Sequence, residues 1–226
     1  MKNKNIFFYK KTGQYIDWGQ LKKLPDVDIF IDVGFGPKGT MPLIKGFNPK
    51  YSILIDPLKE SESFASKSLK KNKYDFFRCA VGSYNRELKL NIKKKLSYSS
   101  LLKNTKINFE ERTISQRRVK VFTLDTIMKL VSNKKRWNKI NKSSCKIGIK
   151  IDTEGYELEV IKGAKETLRK TEFVLLEARH NHISFHNQYK LSELMRLMSD
   201  NDFVLDKIIT AKPFIADLYF IKIKNN

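Results

Sequence analysis

Ile29-Phe30-Ile31-Asp32-Val33-Gly34-Phe35-Gly36-Pro37-Lys38-Gly39 is the stretch on which the fold assignment turns. An apolar run ends in a carboxylate, and three glycines and a predicted helix near 38–47 follow. Tyr51-Ser52-Ile53-Leu54-Ile55-Asp56 then repeats the theme, a second apolar run ending in an acid. An α/β sheet builds an adenosine pocket in this way. The glycines let the backbone approach the ligand, and the second acid accepts hydrogen bonds from ribose hydroxyls. Two cofactor classes fit. Gly34, Gly36 and Gly39 match G-x-G-x-x-G, with Asp56 near the expected distance beyond, which is the NAD pattern. Asp32 points instead to S-adenosylmethionine (SAM). An anion at the first turn repels a pyrophosphate but suits a sulfonium and an α-amino group, directly or through water. With no ligand at all, the same residues read as a glycine turn whose two acids cap helices.

Working outward, Leu58 to Lys71 reads as a helix, Asp75 to Val81 as a strand stopped at Gly82, and Glu87 to Ile92 as an alternating strand with one wet face. Residues 93–118 are polar and basic, carry Ser97, Ser99 and Ser100, and are expected to be a mobile cover for the pocket. Val119 to Phe122 is a short strand, and Thr123-Leu124-Asp125 opens a helix. A polar loop over 133–144 precedes a strand from Lys146 to Ile151 that ends at Asp152. Gly155 to Arg169 is a helix and Phe173 to Leu176 a strand ending at Glu177. A helix over Leu191 to Met198 and strands over Phe203–Ile209 and Leu218–Ile223 finish the chain. Alternating strands and helices predict a Rossmann-like α/β fold, with a mostly parallel sheet, helices on both faces and an antiparallel C-terminal hairpin. Its ligand belongs at the carboxyl ends of the strands, which gathers Asp32, Asp56, Asp152 and Glu177 on one rim.

The 226 residues suit one domain, read as a preface over 1–27 and a cofactor-binding unit over 28–226. A hydrophobic fraction of 41% is globular, and there is no apolar run of about 18 residues to cross a membrane. The N-terminal apolar stretch is too short for a signal peptide, so the expected location is cytoplasmic. Cys79 and Cys145 read as reduced core thiols rather than a zinc site or a disulfide. The net charge of +21 is the unusual feature. It attracts polyanions such as nucleic acid, anionic glycans or membrane surfaces, although the same lysines also describe a solvated surface.

Lys150-Ile151-Asp152-Thr153-Glu154-Gly155-Tyr156-Glu157, followed by Val160-Ile161-Lys162-Gly163-Ala164, resembles the FkbM family of SAM-dependent methyltransferases. Ile31-Asp32-Val33-Gly34 looks like the family's first SAM motif and Ile55-Asp56-Pro57 like its ribose motif. Ala80-Val81-Gly82, Ser99-Ser100-Leu101, Val121-Phe122-Thr123-Leu124-Asp125 and Val174-Leu175-Leu176-Glu177 match further segments in order. Phe35-Gly36-Pro37 departs from the family's Ala-Asn after the first glycine, and Asp56 replaces the commoner Glu. The resemblance implies a class I methyltransferase fold and O-methylation of a sugar, glycan or glycosylated metabolite. It also implies cofactor contacts at Asp32, Gly34, Gly36, Asp56, Ala80, Val81, Ser100 and Asp152.

Methyl transfer needs alignment and removal of the acceptor's proton. Histidine is the natural base near neutral pH, and all three lie together in Glu177-Ala178-Arg179-His180-Asn181-His182-Ile183-Ser184-Phe185-His186. His180 is the first candidate and His182 the second, with Asp152 and Glu154 lining the reaction centre. As structural residues, Asp152 and Glu154 would instead serve the following helix N-terminus. Asp152 and Glu177 could alternatively hold Mg²⁺ with water or a histidine. Three rival readings remain at this point: a nucleic-acid (RNA) methyltransferase recruited by charge, a non-catalytic basic binding module, and an NAD oxidoreductase.

Overall fold

A computed structural model of the chain describes residues 26–38, 40–105, 112–134, 145–180 and 184–223. The first apolar run forms β1 (Ile29–Val33), whose five residues are all buried. A strand covered on both faces needs such an unbroken apolar run. β2 (Tyr51–Ile55), β3 (Tyr74–Phe77), β7 (Ile147–Ile151), β8 (Thr171–Arg179), β9 (Phe203–Ala211) and β10 (Ile215–Lys222) complete a seven-stranded sheet. Its order is β3-β2-β1-β7-β8-β10-β9. β1 pairs in parallel with β2 and β7, β2 with β3, and β7 with β8. β10 runs antiparallel to both β8 and β9, which is the expected terminal hairpin.

The period of two sorts each strand between two cores. Ile29, Ile31 and Val33 face one core, which is closed by α3 (Leu124–Ser132), α4 (Glu157–Lys162), α5 (Lys165–Arg169) and α6 (Leu191–Asp200). Phe30 faces the other, which is closed by α1 (Met41–Phe47) and α2 (Lys59–Ser68). In α3, Leu124, Ile127 and Val131 make the buried stripe, and the Thr123 hydroxyl caps it by accepting from the Thr126 N–H at 3.0 Å. In α1, Phe47 lies between Phe30 and Phe173, with centroids 5.0 and 5.1 Å away.

Several sequence expectations are corrected. The strand expected over 75–81 is two strands. β3 stops at Phe77, and β4 (Ala80–Val81) leaves the main sheet to pair with β6 (Thr113–Phe122). β6 also pairs antiparallel with β5 (Arg86–Lys93), making a separate three-stranded sheet. The polar segment 93–118 is therefore partly strand: its described residues include a 3-10 turn at Leu96–Tyr98 and the first half of β6, and 106–111 lie outside the described residues. Cross-strand hydrogen bonding, not side-chain hydrophobicity, fixes residues 113–118. The helix expected over 155–169 is two short helices parted at Gly163 and Ala164. β8 does not end at Leu176, because β10 continues to supply partners as far as Arg179. Residues 135–144 of the second polar loop and the preface as far as residue 25 lie outside the described residues. Among the described residues, no helix is long and apolar enough to cross a membrane.

Candidate active site

A cavity of about 300 Å³ opens at the carboxyl ends of β1, β2, β7 and β8, where the strand order reverses around β1. The glycine loop forms one wall. Gly34 has φ +83°, and a Cβ there would lie 1.8 Å from the Asp152 carbonyl oxygen. Only glycine lets the end of β1 press against the end of β7 in this way. Gly36 also has positive φ, +74°, but an added Cβ would meet nothing within 4 Å, because that side faces open cavity.

Asp56 ties this loop to the second strand. Its Oδ2 accepts from the Gly36 N–H and its Oδ1 from the Leu58 N–H, both at 2.8 Å. Burial pushes its carboxyl up to about 6, against the pull of those two N–H groups. Asp56, Ala80, Val81 and Ser100 all line the cavity. Asp32 does not. Its side chain is fully buried beneath the loop, with Lys150 Nζ 3.5 Å from Oδ1. Burial raises its carboxyl above the ordinary value, and the Lys150 charge opposes that. Lys150 is what reaches the cavity. Its Nζ stands 3.1 Å from Asp152 Oδ2 and donates to the Gly34 carbonyl at 3.4 Å. Burial alone would depress this ammonium, but Asp152 and Asp32 outweigh it and hold the group above its usual range.

The turn after β7 is built by Glu157. Its Oε1 accepts from the Thr153 N–H at 2.8 Å, the Thr153 hydroxyl at 3.0 Å and the Gly155 N–H at 3.0 Å. One buried carboxylate thus shapes the backbone that presents Asp152 and Glu154. Glu154 takes φ +55°. Its carbonyl oxygen accepts the Ser100 hydroxyl at 2.8 Å, and its carboxylate pairs with the Arg179 guanidinium. Burial pushes the Glu154 carboxyl upward despite that cation.

Asp152, Glu154 and Glu177 meet, each offering an oxygen within 4.8 Å of the others. Burial, reinforced by Asp152 and Glu154, raises Glu177 well above the carboxylate range. Lys150 stands against Asp152, and Arg179 against Glu154, so the protein's own cations already compensate two of the three acids. That arrangement does not fit the acids as a bare Mg²⁺ ligand set. Beyond them lies a second cavity of about 130 Å³, lined by Tyr98, Asn104, Arg179, Phe185 and Ile215. It shares Glu154, Glu177 and Lys212 with the first cavity.

The structure does not bring His180 to either cavity. Its Nε2 is 3.0 Å from the Lys212 carbonyl oxygen, in the β9–β10 connection. Strand parity explains this. Along β8, Leu175 packs in the core beneath the cavity and Ala178 in the opposite one, so position 180 falls on the Ala178 side. His182 lies outside the described residues, and His186 is exposed. Sequence reasoning missed Arg179, Lys212 and Asp217. Arg179 could have been found two residues past Glu177 on the same face. Asp217 faces Glu177 only through strand register.

The strand order, the reversed β10 and a site at the strand ends beside a glycine loop define a class I SAM-dependent methyltransferase fold. A profile of the Methyltransferase FkbM domain matches residues 43–205, and the chain belongs to that methyltransferase family. The crystal structure of methyltransferase FkbM from Methylobacillus flagellatus KT superposes with a TM-score of 0.51 at 16% identity, covering 94% of this chain and 46% of that one. The chain therefore spans less than half the length of that protein. A putative S-adenosylmethionine-dependent methyltransferase from Listeria monocytogenes gives a TM-score of 0.49 at 9% identity, over 92% of this chain and 98% of that one. Magnesium protoporphyrin IX methyltransferase from Synechocystis PCC 6803, solved with SAM bound, gives 0.45 at 10% identity, over 90% and 74%. Comparison with curated proteins finds no significant match.

Proposed function

We propose that this chain transfers a methyl group from SAM to a hydroxyl of a sugar, glycan or glycosylated metabolite. The observation that carries the reading is the pair of adjoining cavities with Glu154, Glu177 and Lys212 in common. A donor and an acceptor compartment have to meet at one wall for in-line transfer. The larger cavity fits the cofactor. Gly36 leaves open space where a side chain would stand, and Asp56, Asp152, Glu154, Glu177 and Asp217 outnumber Lys38, Lys150 and Lys212 along its lining. That sign of charge favours a sulfonium and disfavours a dinucleotide pyrophosphate. In this reading Gly34 and Gly36 frame the methionine end, Asp56 accepts from the ribose, and Ala80 and Val81 lie along the adenine. Bound SAM supplies an already activated methyl group. The chain aligns the acceptor, excludes water and takes its proton. The smaller cavity offers Tyr98 and Phe185 as apolar faces and Asn104 and Arg179 as polar contacts, a mixture suited to a polyhydroxylated ring.

Calorimetric titration with SAM, S-adenosylhomocysteine and NAD tests the cofactor, and a panel of methyl glycosides with methyl-labelled SAM tests the acceptor. Saturable binding of the first two and labelling of a glycoside are expected. Binding of NAD alone, or of none, overturns the reading. One observation favours RNA as a second acceptor class. Lys89 lies directly opposite Arg118 with both residues exposed, a like-charge pairing that disfavours the sheet and that a bound anion would relieve. RNA methylation with steep salt dependence would replace the glycan reading.

A further inference from the structure

We propose that Glu177 is the catalytic base that faces the transferred methyl group and receives the acceptor's proton. The inference rests on the methyl-transfer reading above and adds the residue that performs the proton transfer. Glu177 belongs to both cavities. Of the three carboxylates gathered there, Asp152 is paired with Lys150 at 3.1 Å and Glu154 with Arg179. Glu177 accepts no hydrogen bond and forms no ion pair among the described residues. Its surroundings are Asp152, Glu154 and Asp217 on the acidic side and Lys150 and Arg179 on the basic side. Asp217, opposite it in register, is engaged by the Thr210 hydroxyl. Among the described residues, one carboxylate at the junction is thus held without a protein donor, and its basicity is raised by burial. In the step, the acceptor oxygen bonds to the methyl carbon as the carbon–sulfur bond breaks and its electron pair stays on sulfur. The hydroxyl proton passes to the Glu177 carboxylate, which later releases it to water. The products are the methyl ether and S-adenosylhomocysteine.

Sinefungin carries a protonated amine in place of the methylsulfonium, so it reports a carboxylate facing that position without needing an acceptor. Calorimetry on wild type, Glu177→Gln and Glu177→Asp compares sinefungin with S-adenosylhomocysteine. Glu177→Gln is expected to lose at least tenfold in sinefungin affinity and to keep S-adenosylhomocysteine within threefold, with Glu177→Asp in between. On a glycoside that wild type methylates, Glu177→Gln is expected to lose 10²- to 10⁴-fold in kcat. Unchanged sinefungin preference, or parallel loss of both ligands, overturns the assignment while leaving the methyltransferase reading in place. Failure of wild type to bind S-adenosylhomocysteine overturns both.

Discussion

Asp56 gives a prediction whose size follows from its surroundings. Its carboxyl is pushed from 3.8 to about 6 by burial, with the Gly36 and Leu58 N–H groups resisting. A folded-state value above the unfolded one means that the folded protein binds the proton more tightly. The contribution is fully present below pH 3.8 and is lost as pH rises through 6. The complete loss corresponds to about 3 kcal/mol. Between pH 5 and 8 a single group with these values contributes about 1.4 kcal/mol of it. Asp56→Asn cannot ionise, so its stability lacks this component. Below pH 5 it is less stable than wild type by roughly 1–3 kcal/mol, because its amide turns a donor toward one of the two backbone N–H groups. Urea unfolding of both proteins at pH 5 and 8 is the assay, and the gap between them is expected to narrow by about 1.4 kcal/mol. Saturating S-adenosylhomocysteine, with ribose hydroxyls donating to the ionised carboxylate, is expected to reduce that narrowing. Parallel curves would refute the burial argument. A gap that widens with pH would show that the two N–H groups outweigh burial.

Gly34→Ala is expected to lose roughly 2–5 kcal/mol, since positive φ and overpacking against the Asp152 carbonyl both act on it. Gly36→Ala has room and is expected to cost only about 1–2 kcal/mol while lowering SAM affinity, because its methyl enters the cavity. Thermal melts and calorimetry on the pair separate the two effects. Glu157→Ala strands the Thr153 and Gly155 N–H groups and is expected to cost about 2–5 kcal/mol in urea unfolding, whereas Glu157→Gln keeps an accepting oxygen and loses about 1 kcal/mol. His180→Ala is expected to leave S-adenosylhomocysteine affinity within twofold of wild type; a tenfold loss would return that ring to the site.

The sheet is readable because buried parallel strands write themselves as apolar runs, and Asp56 and Asp152 follow from their positions at strand ends, whereas Ala80 and Val81 come from the family resemblance. What was not readable depends on pairing between distant segments. Asp32 looks like a cofactor contact until the register sets it opposite Lys150, which neutralises it beneath the loop. Glu154 looks like a free acid until Arg179, 25 residues further on, closes on it. β4 cannot be separated from β3 by hydrophobicity, because only hydrogen bonding to β6 draws it away.

The histidines teach the sharper lesson. Their adjacency in sequence suggested a reactive cluster, but a strand sends successive side chains to opposite faces. With β8 running to Arg179, position 177 and position 179 share the cavity face and position 180 does not. The apolar run ends at Leu176, which predicts a strand end there and hides the parity of the residues beyond it. The continuation is licensed by β10, which pairs Ala216 with Ala178 and Ile215 with Arg179. An antiparallel neighbour added at the C-terminus thus carries charged residues into a strand interior that apolarity alone would have closed. Glu177 stands at the junction of the two cavities, and Arg179 in the smaller one, for that reason. The terminal hairpin thus decides which face of β8 meets the two cavities.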